Sequence, residues 1–254
     1  MIRVPLNQPK KIYKNMPNLA KNRENFKNLR KPDAIIYDWD NTLVDTWPLI
    51  KNAINQTLRT MNRDEWSLEK VRDSVHKSMR ESFPEIFGNE WERAGEIYKK
   101  AYHDINISQI SLLKNSFELL NFVKNLNIPQ FLVSNKIGIT LRKEVKKLQL
   151  EHLFFSLVGA QDANSDKPSR EPADFALMGS GIDPKKHHIW FIGDTIADVE
   201  CGHNLGACPI IYGHSDNKIS KTIEENILEN GFDNQGPVAI YFDHQELIDI
   251  LRKF

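Results

Sequence analysis

The chain has 254 residues, 40% of them apolar, and its basic and acidic side chains balance at 34 each. That length suits one sizeable domain, or a core with a smaller insertion, and the balance excludes a global pull towards nucleic acid or acidic membranes. No apolar run reaches the ~18 residues of a membrane helix; with only Cys201 and Cys208, neither a disulfide framework nor a zinc pattern forms, and a cytoplasmic setting is expected.

Residues 1–32 read as an arm. Residues 1–31 carry nine Lys or Arg and one acid, Glu24, without a sustained apolar period that could offset the entropy of ordering. A solubilising tail, packing on the body or on a second copy, and contact with RNA or an anionic surface are the readings of this arm, the last without any aromatic-basic motif behind it. The N-terminus lacks the apolar stretch of a secretory signal.

The first strand is predicted at Ala34–Tyr37, ending at Asp38. Further apolar β-type runs are Phe131–Val133 before Ser134-Asn135, Ile189–Ile192 before Gly193-Asp194, and Pro209–Tyr212 before Gly213, with added strands at Leu157–Ala160 and Val238–Phe242. Continuous rather than alternating apolar strands indicate a parallel sheet covered on both faces. Helical periods fall between them at Phe117–Val123, preceding Leu126, and at Leu141–Leu150, and Glu246–Leu251 closes the chain. The alternation predicts an α/β fold, a doubly wound parallel sheet, whose ligands sit beyond the carboxyl ends of the strands. Between Leu43 and about Leu113 the alternation stops. Helices are predicted there at Trp47–Met61, Ser67–Ser82 and Glu90–Asp104, the second ended by Phe83-Pro84 and Gly88. The expected organisation is an arm (1–32), an α/β core (33–45 and 113–254) and a small helical insertion (46–112) over the catalytic edge. The aromatic residues of that insertion, Trp47, Trp66, Phe83 and Trp91, read as its own core.

Four polar groups occupy the strand ends. Asp38-Trp39-Asp40-Asn41-Thr42-Leu43 places two carboxylates two residues apart, which lets one attack and the other carry the leaving group's proton; a turn or helix-capping pair is the alternative. Ser134-Asn135-Lys136 offers a hydroxyl and free N–H groups to a phosphate oxygen, or else is an ordinary turn. Lys167-Pro168 supplies a cation able to offset phosphoryl charge, or a solvated lysine. Asp194 and Asp198 are hard oxygen donors suited to Mg²⁺, with Asp198 alternatively a helix N-cap.

The order of these pieces resembles the haloacid dehalogenase superfamily, most closely its phosphoglycolate phosphatase-like group with a helical cap. The first motif, Asp38 to Thr46, and the last, with Gly193, Asp194 and Asp198, carry the likeness over roughly residues 34–251. The resemblance implies a Mg²⁺-dependent phosphatase acting on a small phosphate monoester. Asp38 is then the nucleophile and a metal ligand, and Asp40 the acid/base, with its backbone carbonyl on the metal. Asp194 is a further ligand, and Asp198 belongs to the metal site or orients Lys167. Thr42, Ser134, Asn135 and Lys167 hold the phosphoryl group. Arg80 lies where similar caps dip towards the site and is the expected substrate-selecting side chain. The family often has Gly at the place of Asn41, a second Pro two positions after Lys167-Pro168 where Arg170 stands here, and a Pro-Gly where this chain has Asn115-Ser116. Arg170 is therefore read as an added substrate contact. The presence of Asp40 favours phosphoryl chemistry over dehalogenation. A phosphomutase of the same superfamily and a non-catalytic phospho-acceptor module are the alternatives, and a homo-oligomer is left open.

Overall fold

A computed structural model describes residue 26 and residues 29–75, 78–104, 110–213 and 239–254. Most of the basic arm lies outside the described residues, as does Val238. The main sheet has six parallel strands, β1 (Ala34–Tyr37), β4 (Gln130–Ile137), β5 (Ser156–Ala160), β6 (Ile189–Gly193), β7 (Cys208–Tyr212) and β8 (Ala239–Tyr241), in the order β5-β4-β1-β6-β7-β8. This is the doubly wound α/β architecture expected from the apolar runs.

Alternate residues of each strand feed two layers. Ile35, Tyr37, Leu132, Trp190, Ile192 and Tyr241 share one cluster with the helices α5 (Ser116–Asn125) and α9 (His244–Leu251). Ala34, Ile36, Phe131, Val133 and Phe191 face the other way, against α7 (Glu171–Leu177) and α8 (Ile196–Leu205). Because both faces are covered, neither register of alternation shows a polar side, which is why the strands read as unbroken apolar runs. A further helix, α6 (Gly138–Lys147), follows β4 without a loop.

The register places the functional edge. Tyr37 pairs with Leu132 on one side and Ile192 on the other, so Asp38 and Asp194, just past the ends of β1 and β6, come beside Ser134 of β4 at the carboxyl edge of the sheet. β4 is longer than expected. It runs to Ile137, with a register shift between Val133 and Ile137 against β5, so Ser134 sits at an irregularity within the strand rather than at its end.

Between Val44 and Leu112 the described residues form the helices α1 (Trp47–Thr60), α2 (Leu68–Ser74), α3 (Met79–Phe87) and α4 (Trp91–Asp104). The single helix expected over Ser67–Ser82 is two helices, and α3 continues through Pro84 to Phe87. Packing decides this against the proline. Phe83 and Phe87 are both buried, with ring centroids 5.1 Å apart, and Phe83 meets Tyr98 of α4 at 5.3 Å. Gly88 then ends the helix with φ at +59°, a conformation glycine adopts at no steric cost. Trp47 is buried and Trp66 and Trp91 pack against the same cluster, which is continuous with the strands of the main sheet, so these aromatics extend the domain core rather than form a separate one.

The sequence shows no strand in this region, but the structure has a short antiparallel pair, β2 (Val44–Asp45) with β3 (Ser111–Leu112). Two-residue strands lie below any periodic signal. The pair brings the outgoing and returning chains side by side, and Leu113 N–H adds a bond to the Leu43 carbonyl at 2.9 Å. Among the described residues no helix is long and apolar enough to cross a membrane.

Candidate active site

Asp38 follows β1 directly and is held against β6 by its N–H, which donates to the Ile192 carbonyl at 2.8 Å. The turn after Asp40 closes through Asn41, whose φ is +59°. Asparagine tolerates the left-handed region better than other L-residues, which accounts for Asn at a place where the family often has Gly. Its side-chain oxygen accepts from Thr46 N–H at 3.2 Å and from Thr46 Oγ1 at 3.3 Å, so the turn is tied to the start of α1.

Lys167 enters from the β5–α7 connection. Its Nζ donates to Asp38 Oδ1 at 2.6 Å, to Asp198 Oδ1 at 2.6 Å and to the Val133 carbonyl at 2.9 Å, which uses all three ammonium protons. The solvated alternative for this lysine is thereby removed: the side chain is buried. Asn135 does not point its amide at a free anion site. It brackets the Lys167 backbone, Nδ2 donating to the Lys167 carbonyl at 3.0 Å and Oδ1 accepting from Lys167 N–H at 2.9 Å. Ser134 Oγ accepts from Lys136 N–H at 3.2 Å and lines the cleft.

Asp198 is the third residue of α8, not its N-cap; Thr195 holds that position. Asp198 Oδ2 accepts from Thr195 N–H at 2.9 Å and Thr195 Oγ1 at 2.6 Å, leaving Oδ1 for Lys167. Gly193 permits this approach, since a Cβ there would stand 2.2 Å from Asp198 Cγ. Asp194 is buried beside Asp38, and Thr42 Oγ1 donates to Asp194 Oδ1 at 3.4 Å. Carboxylate oxygens of Asp38, Asp194 and Asp198 all lie within 4.8 Å of one another.

Burial pushes the Asp38 carboxyl up to about 7; Lys167 pulls it down, while Asp198 and Asp40 push it further up. Asp194 is held well above the ordinary carboxylate range by burial first, then by repulsion from Asp38 and Asp198. Burial lowers the affinity of Lys167 for its proton, but Asp198 and Asp38 outweigh that and keep it charged.

A cleft opens between this edge and the helical segment. Asp38, Asp40, Ser134, Asn135, Lys136, Lys167 and Asp194 line it from the sheet, and Trp47, Met79, Phe83, Tyr98 and Tyr102 from α1, α3 and α4. Thr42, Arg80 and Asp198 are not among its lining residues. Arg80, on α3, forms an ion pair with the buried carboxylate of Asp166, the residue before Lys167. It thus joins the helical segment to the lysine loop. Arg170 lies on the surface, engaged with Asp174 at 2.7 and 2.9 Å and with the Asn204 carbonyl at 3.2 Å, away from the cleft.

Asp40 has a partner that the sequence did not reveal. Lys136 Nζ donates to Asp40 Oδ1 at 2.6 Å, to Glu144 Oε2 at 2.7 Å and to Tyr102 Oη at 2.9 Å. A signal for Glu144 exists: it is an acid on the inward stripe of α6, beside Leu141 and Val145, all three buried. Lys136 had only its place after Ser134-Asn135 to mark it, and Tyr102 lay in an aromatic-rich helix where core packing is the commoner use.

Fold and site together define a three-layered α/β domain, helices on both faces of one parallel sheet, with a helical segment over the carboxyl edge of that sheet and a buried group of acids around Lys167. The family model of haloacid dehalogenase-like hydrolases matches residues 35–211, and the chain belongs to that family. Among curated relatives, a "Pyrophosphatase PpaX" from Bacillus cereus (strain Q1) is 26% identical over 176 residues, 69% of this chain and 81% of that protein. A crystal structure of a HAD-superfamily hydrolase from Ehrlichia chaffeensis is 26% identical with a TM-score of 0.58, covering 89% of this chain and 98% of its own. A predicted phosphoglycolate phosphatase from Haemophilus somnus shares the fold at 20% identity and a TM-score of 0.69, covering 87% of this chain and 99% of its own.

Proposed function

We propose that this hydrolase is a phosphatase that cleaves a small phosphate monoester through an aspartyl-phosphate on Asp38, with Mg²⁺ as its metal. The observation that carries the reading is the ammonium of Lys167, 2.6 Å from both Asp38 and Asp198, at the buried group of carboxylates formed by Asp38, Asp194 and Asp198. Pyrophosphatase and phosphoglycolate phosphatase names among its relatives agree with phosphoryl chemistry.

The donor set fits a hard divalent ion. Three buried carboxylates with one lysine leave a local excess of negative charge. Asp38 and Asp194 both resist ionisation in its absence, and oxygen ligands of this kind are those Mg²⁺ takes. Asp38, Asp194 and the backbone carbonyl of Asp40 would hold it; Asp198, which accepts from Lys167 and twice from Thr195, orients the lysine and lies close enough to Asp38 and Asp194 to reach the same ion. When bound, Mg²⁺ offsets charge on the phosphoryl group and on the acids that surround it.

A carboxylate oxygen of Asp38 forms the new bond to phosphorus while the bond from phosphorus to the ester oxygen breaks. The electron pair stays on that oxygen, which takes a proton from Asp40. Water then attacks phosphorus, Asp40 recovers a proton from it, and the Asp38–phosphorus bond breaks to release phosphate and restore the carboxylate. Lys167 balances charge in both halves, Asn135 keeps the lysine loop in place, and the Ser134 hydroxyl contacts a phosphoryl oxygen. Thr42 supports Asp194 from behind. We assign residues 46–112 as a cap whose closeness to the site restricts it to small substrates. The two buried free thiols, Cys201 and Cys208, suit a cytoplasmic enzyme.

The test is phosphate release from a panel of phosphorylated metabolites with and without Mg²⁺. Asp38→Asn is expected to lower turnover by about 10⁴-fold or more. An isomerised sugar phosphate in place of free phosphate would make the enzyme a mutase. Full turnover in Asp38→Asn would end the aspartyl-phosphate reading.

A further inference from the structure

A second buried charge cluster lies beside the acid pocket, and the reaction steps above make no use of it. Lys136, Glu144 and Tyr102 form a closed ring of hydrogen bonds. Lys136 Nζ donates to Glu144 Oε2 at 2.7 Å and to Tyr102 Oη at 2.9 Å, and Tyr102 Oη donates to Glu144 Oε1 at 2.9 Å. The third ammonium proton of Lys136 goes to Asp40 Oδ1 at 2.6 Å. Glu144 takes one further donor, the indole N–H of Trp39 at 2.7 Å.

Trp39 stands between Asp38 and Asp40 in the chain, and its ring is fully buried. Glu144 therefore grips the acid motif twice, at the side chain between the two carboxylates and, through Lys136, at the Asp40 carboxylate itself. The side chains of Lys136 and Glu144 are 7% and 1% exposed. Burying such ions is expensive, and apolar residues of similar volume would stabilise a core as well or better. Stability alone gives little reason to keep this cluster. Two of its ends suggest another one, for Tyr102 rides on α4 of the helical segment, whereas Lys136 and Glu144 belong to the α/β core.

We propose that Lys136 is a positioning residue for Asp40, held by Glu144 in the core and by Tyr102 from the cap, so that the seating of the cap helix sets where the catalytic acid points. The three ammonium protons have fixed recipients, which leaves Lys136 one orientation and Asp40 Oδ1 one anchor. The other Asp40 oxygen is then left to reach the ester oxygen. The inference rests on the phosphatase reading, with Asp40 as the acid.

The test compares kcat/KM for two substrates of the full-length enzyme: 4-nitrophenyl phosphate, whose leaving group is stable as an anion, and glycerol phosphate, whose alkoxide must be protonated as it departs. This ratio reflects only steps up to release of the alcohol, so the later hydrolysis of the phosphoenzyme does not enter. Asp40→Asn sets the scale, with a loss for the alkyl ester about 10²-fold or more beyond that for the aryl ester. Lys136→Met is expected to reproduce that bias. Tyr102→Phe, which removes one hydroxyl and leaves both charges in place, is expected to show it more weakly, about 10-fold, and keeps the test open if Lys136→Met does not fold. Equal losses on the two esters in Tyr102→Phe and Lys136→Met, with the bias present in Asp40→Asn, would reduce the ring to a structural role and overturn the proposal. Absence of the bias in Asp40→Asn would instead overturn the assignment of Asp40 as the acid, and the positioning role with it.

Discussion

Single atoms set the tolerances of this site. A Cβ on Gly193 would come to 2.2 Å from Asp198 Cγ and 2.5 Å from its Oδ2, and Asp198 cannot yield without loosening Lys167 or the two Thr195 donors. Gly193→Ala should therefore cost about 1–3 kcal/mol of stability through overpacking, and lower turnover as Lys167 leaves Asp38. Melting temperature and phosphate release measured side by side check this; a variant with unchanged turnover would mean that Asp198 does not fix the lysine. Asn41 shows the opposite case. There the backbone demands a positive φ, Asn satisfies it, and its side chain adds bonds to Thr46 that a glycine would lack.

At the scale of elements, legibility followed burial. The strands carrying Asp38 and Asp194 were readable because a sheet covered on both faces leaves unbroken apolar runs that stop where the polar edge begins. Lys167, whose loop has no periodic pattern, was visible only through the order of motifs around it. What the sequence did not show depends on contacts between distant segments: the split of the second helix, the passage of α3 through Pro84, the β2–β3 pair, and the ring that joins Tyr102 to Glu144 across 42 positions. Arg80 belongs here too. Position alone suggested a substrate contact, whereas the side chain meets Asp166, whose own carboxylate is 1% exposed, and so links α3 to the lysine loop. Arg80→Ala takes the ion-pair partner from that buried carboxylate and leaves it the Gln161 N–H at 3.4 Å, at a cost of about 1–3 kcal/mol. It should lower kcat/KM for every substrate by a similar factor while preserving their rank order. A reordered ranking would return Arg80 to the substrate.

For the molecule as a whole, the acid pocket opposes folding unless a cation answers it. The Asp38 carboxyl sits at about 7 in the folded chain against 3.8 for an unperturbed aspartate, chiefly through burial. The folded state thus binds a proton that the unfolded state releases more readily. The stability this contributes is fully present below about pH 4 and is lost as pH rises through about 7; the upward shift of Asp194 has the same sign. A divalent ion requires these carboxylates ionised and competes with their protons. Magnesium should therefore raise the melting temperature little at about pH 5 and markedly at about pH 8, where saturation at about 100 times its dissociation constant adds about 2.7 kcal/mol. Asp194→Asn should abolish the difference, because it removes both a ligand and a source of repulsion. Thermal unfolding across that range, with and without magnesium, is the measurement. Equal shifts at both pH values would mean the ion binds away from these acids, and the charge balance drawn for the pocket would have to be met by the lysine alone.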